Sequence, residues 1–398
     1  IGKIFLPIEK LMKIITTIDD LKPLYKRRVP KMFYDYTIGG SWTEQTLREN
    51  ISDFNKLYFR QRVAVDISNR TTKTKLIGQD ATMPVALAPV GLTGLQHPDG
   101  EIKAAKAAEE FGVPFTLSTM SICSIEDVAK NTSKPFWFQL YCMSDRPFIE
   151  NLIDRAKEAK CSALIITLDL QILGQRHKDI KNQMTAPPKL TLKNIMNMAT
   201  KPKWCLGMMG TKRHGFANIV GHASGVKNLT SLSEWSANNL LRTLNWDDLD
   251  WMIKRWGGKV ILKGIQDVED AKMAVKTGAD AIVVSNHGGR QLDGALSSIR
   301  SLPSIIDAVG GKIEVWVDGG IRSGQDVAKA VSLGAKGVMI GRPFIYGLGA
   351  MGQGGVTKAL EIIQKELDTT IALCGEQSVE NMSRKNLLIP KDFRGNWE

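Results

Sequence analysis

Cysteine is scarce and never paired in pattern. The five cysteines are Cys123, Cys142, Cys161, Cys205 and Cys374, odd in number, scattered, and nowhere in a C-x-x-C pair. That argues against a disulfide framework and a zinc site, and for a reducing, cytoplasmic compartment. Long apolar runs are missing too. A membrane-spanning helix needs about eighteen or more apolar residues, and the best stretch, Ala81 to Pro98, is uncharged but broken by Pro84, Pro89 and Pro98. Ile1 to Ile18 lacks the apolar core and small-residue cleavage site of a secretory signal. Ile1 is not a start residue and Met12 is a better one, so residues 1–11 read as an extension. No G-x-G-x-x-G fingerprint follows the first strand, which weakens a dinucleotide-fold reading. No aromatic-basic module accompanies the net charge of +12. Dispersed lysines account for the balance, and nucleic acid is not an expected partner.

What the chain does have is rhythm. Residues 17–60 read as helical, within an N-terminal segment 1–80. From Met83 short apolar runs alternate with helical patterns. The runs are Pro84–Ala88, Phe115–Ser118, Phe136–Leu140, Ala163–Thr167, Val260–Lys263, Ala281–Ser285, Glu314–Asp318 and Gly337–Ile340. Each is apolar throughout, as expected of parallel strands covered by helices. Between them, Phe148, Ile149, Leu152, Ile153 and Ala156 mark one helical face, and Val356, Leu360, Ile363, Leu367 and Ile371 another. Asp270-Ala271-x-x-Ala274-Val275-x-x-Gly278-Ala279 recurs as Asp326-Val327-x-x-Ala330-Val331-x-x-Gly334-Ala335. This repeat of a βα unit suits an α/β fold of the (β/α)8 TIM-barrel class, one domain over 1–398.

Barrel active sites sit at the C-terminal ends of the strands. Here those ends read Ala88-Pro89, Ser118-Thr119, Gln139-x-Tyr141, Thr167-x-Asp169, Lys263, Ser285-x-His287-x-x-Arg290, Asp318-Gly319-Gly320-x-Arg322 and Gly341-Arg342. Any one alone is an ordinary turn or cap. So many hydrogen-bonding groups at one mouth point to a ligand site. The last two ends offer glycine amides and two guanidinium groups where barrels usually bind phosphate. Lys263 would point inward, where its ammonium could offset negative charge on a cofactor ring. His287 could move a proton near neutral pH, and Arg290 could hold a carboxylate.

Ser285-Asn286-His287-Gly288-Gly289-Arg290-Gln291-Leu292-Asp293 resembles the signature of the FMN-dependent 2-hydroxy-acid oxidase and dehydrogenase family. Tyr34-Asp35-Tyr36, Ala88-Pro89-Val90-Gly91, Leu117-Ser118-Thr119, Trp137 to Tyr141, Lys263-Gly264 and Asp318 to Gly324 are similar to the family's other motifs, from about Met12 to Leu388. The nearest flavour is the bacterial respiratory L-lactate dehydrogenases. The resemblance implies FMN as cofactor and oxidation of an L-2-hydroxy acid, lactate favoured, to the 2-keto acid. It also implies electron transfer to a quinone or other respiratory acceptor, and a homotetramer. The alternative is a soluble oxidase that uses oxygen and forms peroxide. By position, His287 would be the base and Asp169 its partner. Arg176 and Arg290 would bind the substrate carboxylate with Tyr36, and Tyr141 would lie near the substrate oxygen. Met120 would line the side-chain pocket, where its adaptable shape suits a modest aliphatic group. Ala88, Pro89, Val90, Ser118, Gln139, Thr167, Lys263 and Ser285 would contact the flavin ring. Asp318, Gly320, Arg322, Gly341 and Arg342 would hold its ribityl chain and phosphate. No metal is implied.

The rhythm breaks between Gly174 and about Asn245, an insert with no clear strand. Lys189 to Met198, then Lys201, Lys203, Trp204, Met208, Met209, Lys212 and Arg213, interleave basic and apolar residues. That composition suits contact with an anionic membrane surface, which would place the protein peripherally on the inner face of the plasma membrane. A lid over the active site is the other reading.

Overall fold

A computed structural model describes residues 14–184, 189–223, 226 and 239–393. Eight parallel strands form one sheet. They are β1 (Val85–Leu87), β2 (Thr116–Ser118), β3 (Trp137–Tyr141), β4 (Ala163–Thr167), β5 (Lys259–Ile265), β6 (Ala281–Val284), β7 (Glu314–Asp318) and β8 (Gly337–Ile340). From β2 to β8 each strand pairs with the next in chain order, and β8 pairs with β1. A parallel bridge between Leu87 and Phe115 joins the remaining edges. The sequence reading of a (β/α)8 barrel is thus the observed architecture.

The strands are apolar on both faces because both are covered. Phe138, Leu140, Leu164, Ile166, Leu262, Ile282, Val315 and Val317 face the surrounding helices in one large core. Trp137, Ala163, Ile165, Ile261, Ala281, Val283, Trp316 and Met339 form a second core inside the barrel. This is the strand's two-residue alternation. Trp137 and Trp316 meet edge to face inside the barrel, with ring centroids 5.5 Å apart. Gly337 makes room for Trp316, since a Cβ there would come within 2.9 Å of the indole. The same alternation brings Ser118, Gln139, Thr167, Lys263, Ser285 and Asp318 to the upper end of the barrel, all buried.

The N-terminal segment reaches both ends of the barrel: residues of its helices bond to the loops at the upper end, and its hairpin at 74–81 closes the lower end, where Leu76, Ile77 and Ala81 join the inner core. Helices Ile18–Arg28, Lys31–Ile38 and Gln45–Ser52 are followed by short antiparallel strands at Tyr58–Phe59, Thr74–Leu76 and Gln79–Ala81. The final helix, Gln353–Leu373, buries the apolar face expected from its sequence. The described part of the insert is more ordered than its composition suggested; residues 185–188, 224–225 and 227–238 lie outside the described residues. It contains helices His177–Lys181, Leu192–Ala199 and Pro202–Met209. These dock on the N-terminal helices. Lys201 donates to the carbonyls of Lys26 and Arg27, and Asn197 accepts from the Lys31 amide. Trp204 donates to the Leu95 carbonyl and packs its ring near Phe33. Arg213 pairs with Asp99 and Asp127.

Candidate active site

His287 follows β6 in a left-handed backbone conformation, φ +59°, which costs a non-glycine residue about 1–3 kcal/mol. Its surroundings enforce the turn. Asn286 and Asn50 exchange amide hydrogen bonds of 2.8 and 2.9 Å, and Asn286 also accepts from the Gly289 amide. Asp293 accepts from the amides of Thr43 and Thr46. The N-terminal helices therefore clamp both ends of the histidine loop. Neither asparagine nor Asp293 was singled out from sequence as a site residue.

The loop directs His287 Nδ1 to Asp169 Oδ1, at 2.9 Å. A proton on Nδ1 donated to this carboxylate leaves Nε2 as the proton acceptor. Gly264 makes the pairing possible. Its φ is +105°, and a Cβ there would lie 2.8 Å from Asp169 Cβ and Cγ. Burial lowers the His287 pKa, opposed by Asp169. Burial raises the Asp169 pKa, but attraction to His287 outweighs it and the net shift is downward. A neutral imidazole beside an ionised carboxylate is the arrangement of a base whose protonated form will be stabilised. The Tyr141 ring lies 6.4 Å from that of His287, centroid to centroid, and burial raises its phenol pKa.

Two guanidinium groups flank the imidazole. Arg290 donates through Nη1 to the carbonyls of Tyr36 and Gly39, and its head lies 4.5 Å from the centre of the Tyr36 ring. Arg176 donates to the Arg290 carbonyl at 3.2 Å. Burial, then the Arg290 charge, depresses the Arg176 pKa to about 10. The short helix after Arg176 is pinned to the N-terminal segment by Lys178 to Glu44 at 2.7 Å and by Asn182 to Asp35 at 2.8 Å. A residue of the insert is thereby held against the barrel loop.

The upper barrel layer lies beneath. Ser118 donates to Gln139, and Gln139 donates to Thr167. Lys263 sits 2.8 Å from Asp318 Oδ2 and donates to Ser285, which accepts from the His287 amide as well. Burial opposes the charge on Lys263, but Asp318 and Asp169 outweigh it and raise its pKa. Asp318 Oδ1 is buried and makes no hydrogen bond among the described residues.

These groups surround a cavity of about 880 Å³. Tyr36, Ala88, Pro89, Val90, Met120, Tyr141, Thr167, Arg176, Lys263, His287, Arg290, Asp318, Gly320, Arg322, Gly341 and Arg342 all line it. Asp169, Ser118, Gln139 and Ser285 stand behind that wall and act through the residues in front. Arg322 and Arg342 both line the cavity, neither is in an ion pair among the described residues, and Arg342 shares the Gly39 carbonyl with Arg290. Burial, then the Arg322 charge, lowers the Arg342 pKa to about 9. Arg342 differs from the expectation in its hydrogen bonds. Its three donors go to the carbonyls of Thr37, Gly288 and Gly39, so it ties the N-terminal helix to the histidine loop. Its charge still faces the cavity.

The fit to FMN rests on these features. Two arginines without acidic partners suit a phosphate, and the unpaired Asp318 oxygen suits a hydroxyl of a ribityl chain. Lys263 lines the same cavity. Over residues 25–389 the sequence matches the family described as FMN-dependent dehydrogenase. The chain belongs to that family. It is 44% identical to an L-lactate dehydrogenase of Caulobacter sp. (strain K31), over 94% of this chain and 98% of that one. It is 42% identical to an L-lactate dehydrogenase of Vibrio cholerae serotype O1 (strain M66-2), over 94% and 99%. Among solved structures, the monotopic membrane protein (S)-mandelate dehydrogenase superposes with a TM-score of 0.89 at 32% identity, covering 95% of this chain and 100% of the other. A mandelate oxidase with bound (S)-2-phenylpropionate gives 0.78 at 35%, covering 94% and 98%.

In this FMN-dependent dehydrogenase, His287 must be neutral to accept a proton, and burial lowers its pKa. On the acid side, kcat/KM should fall only below the ordinary imidazole value of about 6.5. Asp169→Asn removes a group that raises that pKa, so the acid limb should move to still lower pH. Activity should drop on the order of 10²–10⁴-fold. A limb that stays in place would remove Asp169 from the pair.

Proposed function

We propose that the protein oxidises an L-2-hydroxy acid, lactate foremost, to the 2-keto acid and passes the electrons to a membrane quinone. One observation carries the reading. A histidine base, oriented by a carboxylate, stands beside two arginines on the wall of a cavity that Arg322 and Arg342 also line, two further cations that suit FMN phosphate. In this scheme Arg176 and Arg290 hold the substrate carboxylate through charge-assisted hydrogen bonds. That anchors the substrate with its reacting carbon near His287. His287 Nε2 takes a proton from the substrate, and Asp169 stabilises the imidazolium that results. Tyr141 lies beside the imidazole, where its hydroxyl would meet the substrate oxygen. Bound FMN supplies the acceptor for the two electrons that leave the substrate. Lys263, paired with Asp318, places positive charge where a reduced ring would carry negative charge. Thr167 gives the ring a polar neighbour, held from behind by Gln139 and Ser118, and Asp318, Arg322 and Arg342 suit its ribityl phosphate. Met120 lies beside Gly91, whose missing side chain keeps this wall open, since a Cβ there would meet Met120 at 3.2 Å. Such a wall accepts a small aliphatic group. The L-lactate dehydrogenase names of the relatives favour lactate over mandelate.

The quinone acceptor is supported by the surface around the mouth. Leu173 and Ile180 line the cavity and are exposed. Beyond them Leu190, Leu192, Ile195, Met196, Leu206 and Met209 are exposed. Exposed lysines 189, 193, 203 and 212 are interleaved with them. An apolar patch ringed with basic groups suits an interface with anionic lipid. Trp204 and Met208, grouped with this surface on composition, turn inward instead. No helix among the described residues is long and apolar enough to cross a membrane, so attachment would be peripheral. A homotetramer is supported by family resemblance alone.

His287→Ala should keep FMN and its yellow colour but reduce the rate of flavin bleaching by L-lactate at least 10²-fold. A fully active variant would sink the assignment. The wild-type protein should reduce a quinone faster than it forms peroxide, and should sediment with anionic vesicles at low salt. Peroxide as the main product would instead mark a soluble oxidase, and protein left wholly in the supernatant would exclude the lipid contact.

A further inference from the structure

Asp179 stands in the cavity wall with no task in the scheme above. It is 8% exposed and follows Arg176 by one helical turn. Its Oδ2 lies 3.6 Å from Arg290 Nη2 and 4.0 Å from Arg176 Nη1. Both distances are too long for a hydrogen bond but short for a buried charge pair. Asp179 Oδ1 and Arg290 Nη2 are both buried and make no hydrogen bond among the described residues. Other edges of the guanidinium groups are engaged, Arg290 Nη1 by two carbonyls and Arg176 Nε by a third. The edges left free converge on this one carboxylate.

Two buried cations side by side repel each other, and a buried charge without a partner is strongly destabilising. Asp179 meets both requirements at once. It offsets the two charges from a distance that leaves N–H donors unspent. We propose that Asp179 is a positioning residue for substrate, a fixed counter-charge that holds Arg176 and Arg290 side by side on the cavity wall for an incoming carboxylate. The assignment rests on reading the two arginines as a carboxylate clamp. It separates two duties within one turn of helix. Lys178 and Asn182 fasten the helix to the N-terminal segment, and Asp179 sets the electrostatics of the clamp. Removing the Asp179 charge should therefore loosen the clamp while Lys178 and Asn182 still fasten the helix to the N-terminal segment.

The test compares Asp179→Asn and Asp179→Glu with wild type, all as flavin-loaded protein. For Asp179→Asn, the KM for L-lactate and the Kd of pyruvate, read from flavin absorbance, should both rise about tenfold. The kcat should stay within about threefold of wild type, because His287, Asp169 and the flavin contacts are untouched. Asp179→Glu keeps the charge and should recover part of the affinity. Lactamide, which has no carboxylate, should be handled equally by Asp179→Asn and wild type. Pyruvate bound as tightly or more tightly by Asp179→Asn would overturn the proposal, by making Asp179 idle or a competitor. So would a loss of kcat at unchanged KM, or a collapse of the fold in both variants. If wild-type flavin responds to neither L-lactate nor pyruvate, the clamp reading itself fails, which this control separates from failure of Asp179 alone.

Discussion

The hydrogen bond from His287 to Asp169 is the contact on which the upper half of this barrel converges. It joins the ends of two strands that are not adjacent in the sheet, β4 and β6, across β5. It therefore needs a gap in β5, and Gly264 supplies it. It also needs the histidine turned against its backbone preference, and the Asn50–Asn286 exchange holds that turn. The N-terminal helices are thus a working part of the site, because they clamp the loop that aims the imidazole. An isolated barrel would have the same residues at its rim without the same geometry.

A second constraint comes from the barrel itself. Strand alternation forces every other residue inward, and at the top of this barrel the inward layer is polar and buried. Buried polar groups are normally satisfied, and most here satisfy one another: Ser118 with Gln139 and Thr167, Lys263 with Asp318 and Ser285. Several groups around the site are not. Asp318 Oδ1, Asp169 Oδ2, Asp179 Oδ1 and Arg290 Nη2 have no hydrogen bond among the described residues, and Arg322 and Arg342 face the cavity without acids. An arrangement of this kind suits charged ligands.

Much of this was legible in the sequence for a simple reason. Helices cover a parallel barrel, so its strands stay apolar end to end, and their polar last residues stand out. Ala163–Thr167 and Glu314–Asp318 could be read to the residue. The parts that escaped depend on contacts between distant segments. Nothing local in Lys263-Gly264 says that the glycine clears a path for Asp169. Arg342 reads as a phosphate ligand from its glycine neighbour, and nothing local says that three of its five N–H donors also go to carbonyls far away in the chain. Asp179 lies three residues after Arg176 and looks like an ordinary helical acid until the fold brings Arg290 beside it. The insert reads as irregular because its helices are short and are held by docking onto Lys26, Arg27, Lys31 and Leu95 rather than by strong internal periodicity. Trp204 and Met208 show the same limit: composition marks a residue as apolar without saying which way it faces.

The central claim is that this cavity joins FMN to an L-2-hydroxy acid held by its carboxylate and acted on by His287. The most direct measurement is an anaerobic titration of the flavin-loaded protein with L-lactate and, separately, with D-lactate, followed by the visible absorbance of the flavin. The account predicts complete bleaching by the L-enantiomer with release of pyruvate, and none on the same timescale by the D-enantiomer. Flavin that stays oxidised with L-lactate and with other L-2-hydroxy acids, or that both enantiomers bleach equally, would contradict it.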